Sequence, residues 1–531
     1  MSRKLKLLHA TRPARRLNPR ATLLFLLFLA GIAPCLGRLS AADFTGLQLL
    51  RSLSPGLDGS GIQVAQAEGV ELENTTRWQP NPDFARTGTA FTYTSSNGTA
   101  TIFPNSVGIE SGHANSVASL FYGSASGFAP GAAGVDCYEA DFFYESIIGP
   151  QTAIPARIVN QSFIFSTTVA TEQAFINRNY DDYSDKFNVL FVSGIGNGGS
   201  TYSPATAYNG LGVAAFGGSS SIGPTVDNAR SKPDITAPAG ATSFSTPQVA
   251  GAAALLLQAA LRGDGRDTNA ADMRVLKALL LNGAVKPVDW TAPTNQPLDT
   301  RYGAGILNVF NSWNQLLGGR TFPGETTAVP TGTSHPPGQS TATHTNRVGW
   351  TFSSITNTAA QDAIQHHYVD LLPGPNSYGA TITLVWNMQS GRTALNDLDL
   401  YLVKTGSEAI LGQSTTFVNN VEHLHLAAVP PGRYDLQVVK NGGNPGSGRV
   451  SPEETYSLVF EFYAQQLEIS ATDQSVAVSW PLAPDGFVLE ESSGLPAVWT
   501  TVAHPSVPVG NRNVVTMVST NAQQIYRLRR P

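Results

Sequence analysis

The sequence is poor in charge, in cysteine and, over most of its length, in histidine. Of its 531 residues only 13% are Asp, Glu, Lys or Arg, against 41% hydrophobic. With 51 Gly and 34 Pro, so little charge excludes coiled coils and charged disordered tails. Basic and acidic residues number 33 and 38, a net charge of −5 that leaves no basic excess for a nucleic-acid surface. The two cysteines, Cys35 and Cys137, exclude a disulfide framework. Nine histidines are present, yet between residues 10 and 334 there is one, His113. Past residue 33 no apolar run is expected to span a bilayer.

What the chain does have begins with basic residues from Arg3 to Arg20, followed by the apolar stretch Ala21–Ala33. That stretch is shorter than the roughly 20 residues of a membrane-spanning helix. Small residues follow, and cleavage after Ala42 would put Ser40 and Ala42 at the small-residue positions. Residues 1–42 are therefore expected to be a secretory signal peptide, with an uncleaved anchor as the alternative. Pro34 before Cys35 argues against a lipoprotein signal. The expected location is secreted, periplasmic or cell-surface, with no integral membrane segment after signal removal.

Residues 43–318 alternate strand-like and helical runs. GIQVAQA and NVLFVSGIG read as buried strands, TPQVAGAAALLLQAALR as a buried Ala/Leu helix and DMRVLKALLLNGA as an amphipathic one. This is the pattern of an α/β unit with a parallel sheet. Residues 319–347, rich in Gly, Pro, Thr and Ser, read as an extended, poorly packed linker. Residues 348–465 carry short alternating strands such as ATITLVWNM, DLDLYLV and RYDLQVV, separated by PPGR and NGGNPGSG, and are expected to form a β-sandwich. Residues 466–531 repeat that pattern as a small β module.

One helix entrance concentrates the chemistry, GATSFSTPQVAG at Gly240–Gly251. Ser243 precedes the apolar helix, and Pro247 is expected in its first turn, where a missing N–H does little harm. A serine here can be activated by a base, with its own N–H aimed at a developing oxyanion; the plainer reading is a helix N-cap. His113, in SGHANSVASLFYG, is the one candidate base of the α/β unit. Glu68, ending the strand GIQVAQAE, could orient an imidazole, or be an ordinary loop carboxylate. Asn197, in GIGNGG, could donate its amide to an oxyanion, or serve only as Asn–Gly turn chemistry.

Taken in order, these segments resemble the subtilisin-like serine peptidases, the subtilases. GSGIQVAQAE resembles the family's acid-bearing strand, HANSVAS its histidine helix and GFAPGAA at Gly127–Ala133 the segment after it. RIVNQSF at Arg157–Phe163 resembles the groove strand, GNGG the asparagine turn, KPDITAP at Lys232–Pro238 the approach to the nucleophile and TSFSTPQVAG the nucleophile motif. The resemblance implies Ser243 as nucleophile, His113 as general base and acid, Glu68 as orienting acid, and Asn197 with the Ser243 amide as oxyanion hole. It further implies that Ser162, Phe163 and Gly194 bind substrate, with the peptide added as a strand. The substrate would be a protein or peptide, the chain a monomer, and no cofactor is needed, structural calcium being left open.

Departures from the family pattern shape these expectations. Glu68 stands where the family has Asp; an alternative alignment puts Ala67 there, and Glu71 is a fallback acid. NQSFIF lacks the glycines usual after the groove serine, so Phe163 or Phe165 is expected to narrow the specificity pocket. No folded propeptide fits between residue 42 and GSG. A second reading is accordingly a weak or inactive pseudopeptidase that serves as a binding or scaffold module. LNDLDLYLV resembles the jelly-roll domain that follows the catalytic domain in some bacterial subtilases. There Asp397 and Asp399 could take a cation with Asn396, while His366, His367, His423 and His425 read as surface residues.

Overall fold

The computed structural model describes residues 7–8, 45–71, 74, 76–287, 289–293, 296–341, 346–373, 377–443, 449–464, 467–471, 475–481, 487–493, 498–509, 512–518 and 524–529. The apolar stretch Ala21–Ala33, Cys35 and the cleavage position at Ala42 lie outside these residues.

Eight strands make the central sheet: β1 (Gln63–Glu68), β2 (Ala90–Ser95), β3 (Gly98–Ala100), β4 (Gly134–Glu139), β5 (Ile158–Gln161), β6 (Leu190–Gly194), β7 (Leu211–Phe216) and β8 (Ile235–Pro238). Their order is β8-β7-β6-β5-β1-β4-β2-β3, parallel throughout except for the β2–β3 hairpin. Around it run α1 (Leu47–Leu53), α2 (Gly112–Phe121), α3 (Ala170–Phe187), α4 (Thr242–Leu261), α5 (Met273–Gly283) and α6 (Val309–Leu317). The expected α/β class with a parallel sheet is what forms.

Strand β1 shows why this sheet needs cover on both faces. Successive side chains alternate between faces. Val64 packs in the cluster that holds residues of α2 and α4, while Ala65 and Ala67 pack in a second cluster with Tyr138, Phe143 and Tyr180. Helix α4 fills the middle of the first layer and is buried along most of its length, so its apolar character is nearly uniform around the axis. At Gly251 an added Cβ would lie 2.3 Å from the Cβ of Phe128, a clash with a buried neighbour. Contrary to the sequence expectation, α4 is long and apolar enough to cross a membrane by length and composition. It is a core helix, with 83% of its apolar window buried in the protein.

The second unit is a two-sheet sandwich built from β9 (Glu325–Pro330), β10 (Val348–Thr356), β11 (Gln361–Leu371), β12 (Tyr378–Trp386), β13 (Leu398–Lys404), β14 (Ala409–Ser414), β15 (Val421–Val429), β16 (Gly432–Lys440) and β17 (Glu453–Ala464). One sheet runs β9-β11-β16-β13-β14 and the other β10-β17-β12-β15. The expected linker is thus shorter than 319–347. Residues 325–330 form an edge strand, antiparallel to β11 with Glu325 opposite His366 and Pro330 opposite Gln361. Pro at the end of an edge strand suits this position, since no ladder donor is needed there. The C-terminal module adds a four-stranded and a three-stranded sheet around Trp480, Leu489 and Val515.

Two further expectations are corrected in the sandwich. His366, His367 and His423 are buried, at 0%, 4% and 4% exposure, because β11 and β15 are covered on both faces where these residues sit. The Nδ1 of His366 bonds Asp435 Oδ2 at 2.8 Å. Asn396 does not join Asp397 and Asp399. Its amide donates to Ser451 Oγ and Glu454 Oε2, and its carbonyl accepts the N–H groups of Val450 and Ser451. Asn441 bridges the two aspartates instead, donating to an oxygen of each at 2.9 Å.

The α/β unit and the sandwich share a core. Trp350, Val385, Val421 and Val459 belong to the same apolar cluster as α4 and α5. Polar contacts cross with them: Thr383 Oγ1 donates to Asn282 Oδ1 at 2.9 Å, and buried Asn209 accepts the Met388 N–H and donates to the Met388 carbonyl. Replacing Asn209 by Ala leaves both Met388 groups without this partner, at about 1–3 kcal/mol for each buried group left unsatisfied. The expected outcome of Asn209→Ala is a lower denaturant midpoint in one transition that takes both units down together, read by urea unfolding.

Candidate active site

The C-terminal ends of the central parallel strands converge on one edge, where ligands bind in open α/β sheets. Glu68 is the last residue of β1, Ser162 follows β5 and Asn197 follows β6. Glu68 is 1% exposed and its Oε2 lies 2.8 Å from His113 Nδ1. His113 occupies the first turn of α2, whose start is capped by the Ser111 hydroxyl accepting the Ala114 N–H. The strand period decides between the candidate acids. Val64, Gln66 and Glu68 share the face turned to α2, while Ala67 is buried on the opposite face. Glu71 lies beyond the strand in an isolated bridge with Asn74 and reaches His113 only as a charge.

The imidazole is set by competing effects. Burial disfavours its charge, but the adjacent, hydrogen-bonded Glu68 carboxylate, with a smaller contribution from Glu71, outweighs burial and raises its pKa above the ordinary value. The ring lies 6.1 Å from that of Phe244, centroid to centroid, which brings His113 to the entrance of α4.

That entrance differs from the sequence reading. The helix begins at Thr242 with Ala241 as N-cap and no cap from a neighbouring side chain, so Ser243 lies inside the first turn and is not the N-cap. Asn197 supplies the cap from across the sheet edge, its Oδ1 accepting both the N–H and the hydroxyl of Thr242, at 2.8 and 2.9 Å. With Oδ1 so placed, the amide nitrogen points away from Thr242. The turn that delivers Asn197 depends on Gly196, at φ +109, where an added Cβ would meet Ser221 and Tyr202. Pro247 falls in the second turn rather than the first. It has no N–H for the carbonyl four residues before it, that of Ser243. The Ser162 hydroxyl donates to this carbonyl at 3.1 Å.

The expected substrate residues divide. Ser162 touches the α4 entrance directly, through the Ser243 carbonyl. Phe163 does not form an open wall: it is 3% exposed and packs edge-on against Phe165, with centroids 5.6 Å apart. Gly194 is buried where β6 meets α4, and a Cβ there would lie 3.2 Å from the hydroxyls of both Thr242 and Thr246. Its role in this structure is close strand–helix approach. Just beyond, Ile164–Phe165 is a short strand whose edge carries residues 7–8, antiparallel, with Leu7 opposite Phe165 and Leu8 opposite Ile164. Two residues that the sequence reading passed over, Gln66 and Tyr122, complete the surroundings of Glu68. The available signal was a glutamine two residues before the acid, set between two buried alanines.

Residues 79–305 match the model of the subtilase family, Peptidase S8. The chain carries a subtilase domain. The matched segment supports a serine-type peptidase domain. The matched span includes His113, Asn197 and Ser243 and opens after Glu68. No curated protein matches the chain. Among solved structures, a cold adapted subtilisin-like serine proteinase is 19% identical over 48% of this chain and 90% of its own, with a TM-score of 0.31. Tripeptidyl peptidase 2 (TPP II) is 12% identical over 83% of this chain and 53% of its own, with a TM-score of 0.33.

The Glu68–His113 pair makes a direct electrostatic prediction. His113 should titrate above about 6.5, the ordinary imidazole value. Glu68→Gln removes the charge that opposes burial, so the pKa should fall. Imidazole-resolved NMR titration of the two proteins checks both.

Proposed function

We propose that the chain is an exported serine endopeptidase that hydrolyses peptide bonds through an acyl-enzyme on Ser243. The observation that carries this reading is the pair of buried Glu68 and part-buried His113 at the sheet edge, beside the α4 entrance that bears Ser243. Glu68 commits His113 Nδ1, which leaves Nε2 to take the Ser243 proton as Oγ attacks the scissile carbonyl. The Asn197 amide and the N–H of Ser243 receive the oxyanion. Collapse of the tetrahedral intermediate breaks the C–N bond, and His113 returns the proton to the leaving amine. Water then enters and attacks the acyl carbon, giving its proton to His113; as the second tetrahedral intermediate collapses, the C–Oγ bond breaks, His113 returns that proton to Ser243 Oγ and the acid leaves. The pairing of residues 7–8 along Ile164–Phe165 supports this edge as the place where an extended peptide lies. Export rests on the N-terminal signal, and N-terminal sequencing of the extracellular protein tests it.

Ser243→Ala should lose fluorophosphonate labelling and several orders of magnitude in turnover while the unfolding midpoint stays in place. Labelling that persists in this variant would remove Ser243 from the mechanism. The raised His113 pKa places the acid limb of kcat/KM above the ordinary imidazole value: protonation disables the base, so activity rises with pH through that limb. Glu68→Asp draws the carboxylate back by about one bond, and a 1 Å displacement can cost about 100-fold in rate. A rate loss of that order, measured at the pH optimum, is the expected result even though Asp is the family's residue.

A further inference from the structure

A buried Glu carboxylate has one more rotatable bond than Asp, so bonding a single oxygen to His113 does not fix its plane. Its second oxygen, Oε1, accepts the Gln66 amide Nε2–H at 2.9 Å. Gln66 is 0% exposed, and the other hydrogen of its amide goes to the Ala114 carbonyl at 3.0 Å, one residue past His113 on α2. The Gln66 carbonyl in turn accepts the Tyr122 hydroxyl at 2.6 Å. Tyr122 is 1% exposed, and burial pushes its phenol well above the usual value, so the hydroxyl keeps its proton and can donate. This chain of donors permits one amide orientation only. A flipped Gln66 would set its oxygen against both the Glu68 carboxylate and the Ala114 carbonyl, two contacts between acceptors.

We propose that Gln66, locked by Tyr122, is a positioning residue that holds the second carboxylate oxygen of Glu68 and so fixes the Glu68–His113 pair. It also ties β1 to the first turn of α2, so one side chain sets both the acid and the backbone that carries the base. The inference rests on the peptidase reading for its catalytic consequence, while the geometry it describes stands on the hydrogen bonds alone. It also explains how a Glu can stand where the family has Asp: the extra methylene is accommodated by a partner on its own strand, two residues away on the same face.

Three variants test this: Gln66→Leu, the milder Tyr122→Phe, and Gln66→Leu combined with Glu68→Gln. Gln66→Leu should lower kcat about 10–100-fold, the usual cost of losing an orienting partner behind a site residue, with KM within about twofold. Tyr122→Phe should lower it in the same direction by less. In the Glu68→Gln background, Gln66→Leu should add little, since both act through one carboxylate. A residue needed only for folding would give losses that multiply, and wild-type kcat in Gln66→Leu would overturn the proposal. A readout independent of turnover is the downfield Nδ1 proton of His113 in histidine-labelled protein. It should be sharp in the wild type and exchange-broadened in Gln66→Leu; a resonance unchanged in both Gln66→Leu and Tyr122→Phe refutes the positioning role. If the wild type neither labels with fluorophosphonate nor hydrolyses peptides, the proposed function fails, and the proton resonance still decides the placement of Gln66.

Discussion

A carboxylate that is 1% exposed at the end of a central strand cannot be left alone. An unpaired buried charge is among the costliest features a fold can carry, and the remedy is an opposite charge with hydrogen bonds to every remaining lone pair. Glu68 has a hydrogen-bond partner on each oxygen, His113 Nδ1 at Oε2 and the Gln66 amide at Oε1. Much of the surrounding architecture follows from that requirement. Helix α2 must start where its second residue can reach β1, and Ser111 fixes that start by capping it. Helix α4 must enter beside the imidazole, and the turn at Gly196 sends Asn197 across to cap it.

The α4 entrance is a set of substitutions of one donor for another. Its first N–H goes to Asn197 because no neighbouring side chain caps it. The Ser243 carbonyl, deprived of a helical donor by Pro247, takes the hydroxyl of Ser162. Ser162, just past β5, and the α4 entrance are thereby joined by a hydrogen bond, at the point where the helix is least able to hold itself together. Ser162 therefore belongs to the site through the backbone it supports as much as through any surface it presents.

Much of this was legible in the residues, and the failures have physical causes. GIQVAQA and NVLFVSGIG could be read as buried strands because apolar runs ending in glycine admit few alternatives, and the Ala/Leu run of α4 because it is too long for a strand. Pro247 was placed one turn too early because sequence cannot show that the helix begins at Thr242, when the cap comes from Asn197, 45 positions earlier in the chain. Residues 325–330 have the composition of a linker, and what makes them a strand is a partner at 361–371, a non-local pairing that composition does not record. The buried histidines read as surface residues for the same reason: their cover comes from other strands and from the opposite unit. Gln66 was overlooked because a glutamine carries no signature until its two donors and one acceptor are counted against their partners.

The pairing of residues 325–330 also bears on proteolysis. A peptidase's nearest substrate is itself, and the segment between its units is the first place self-digestion would be expected. Proteolytic cleavage needs several residues drawn out as a free extended strand along the enzyme's own edge. Here six such residues are already engaged in a ladder with β11, while the apolar cluster shared with α4 and α5 holds the two units in register. Sheet pairing thus withholds residues 325–330 from any protease that needs a free extended strand, and the shared apolar cluster keeps the α/β unit and the sandwich together.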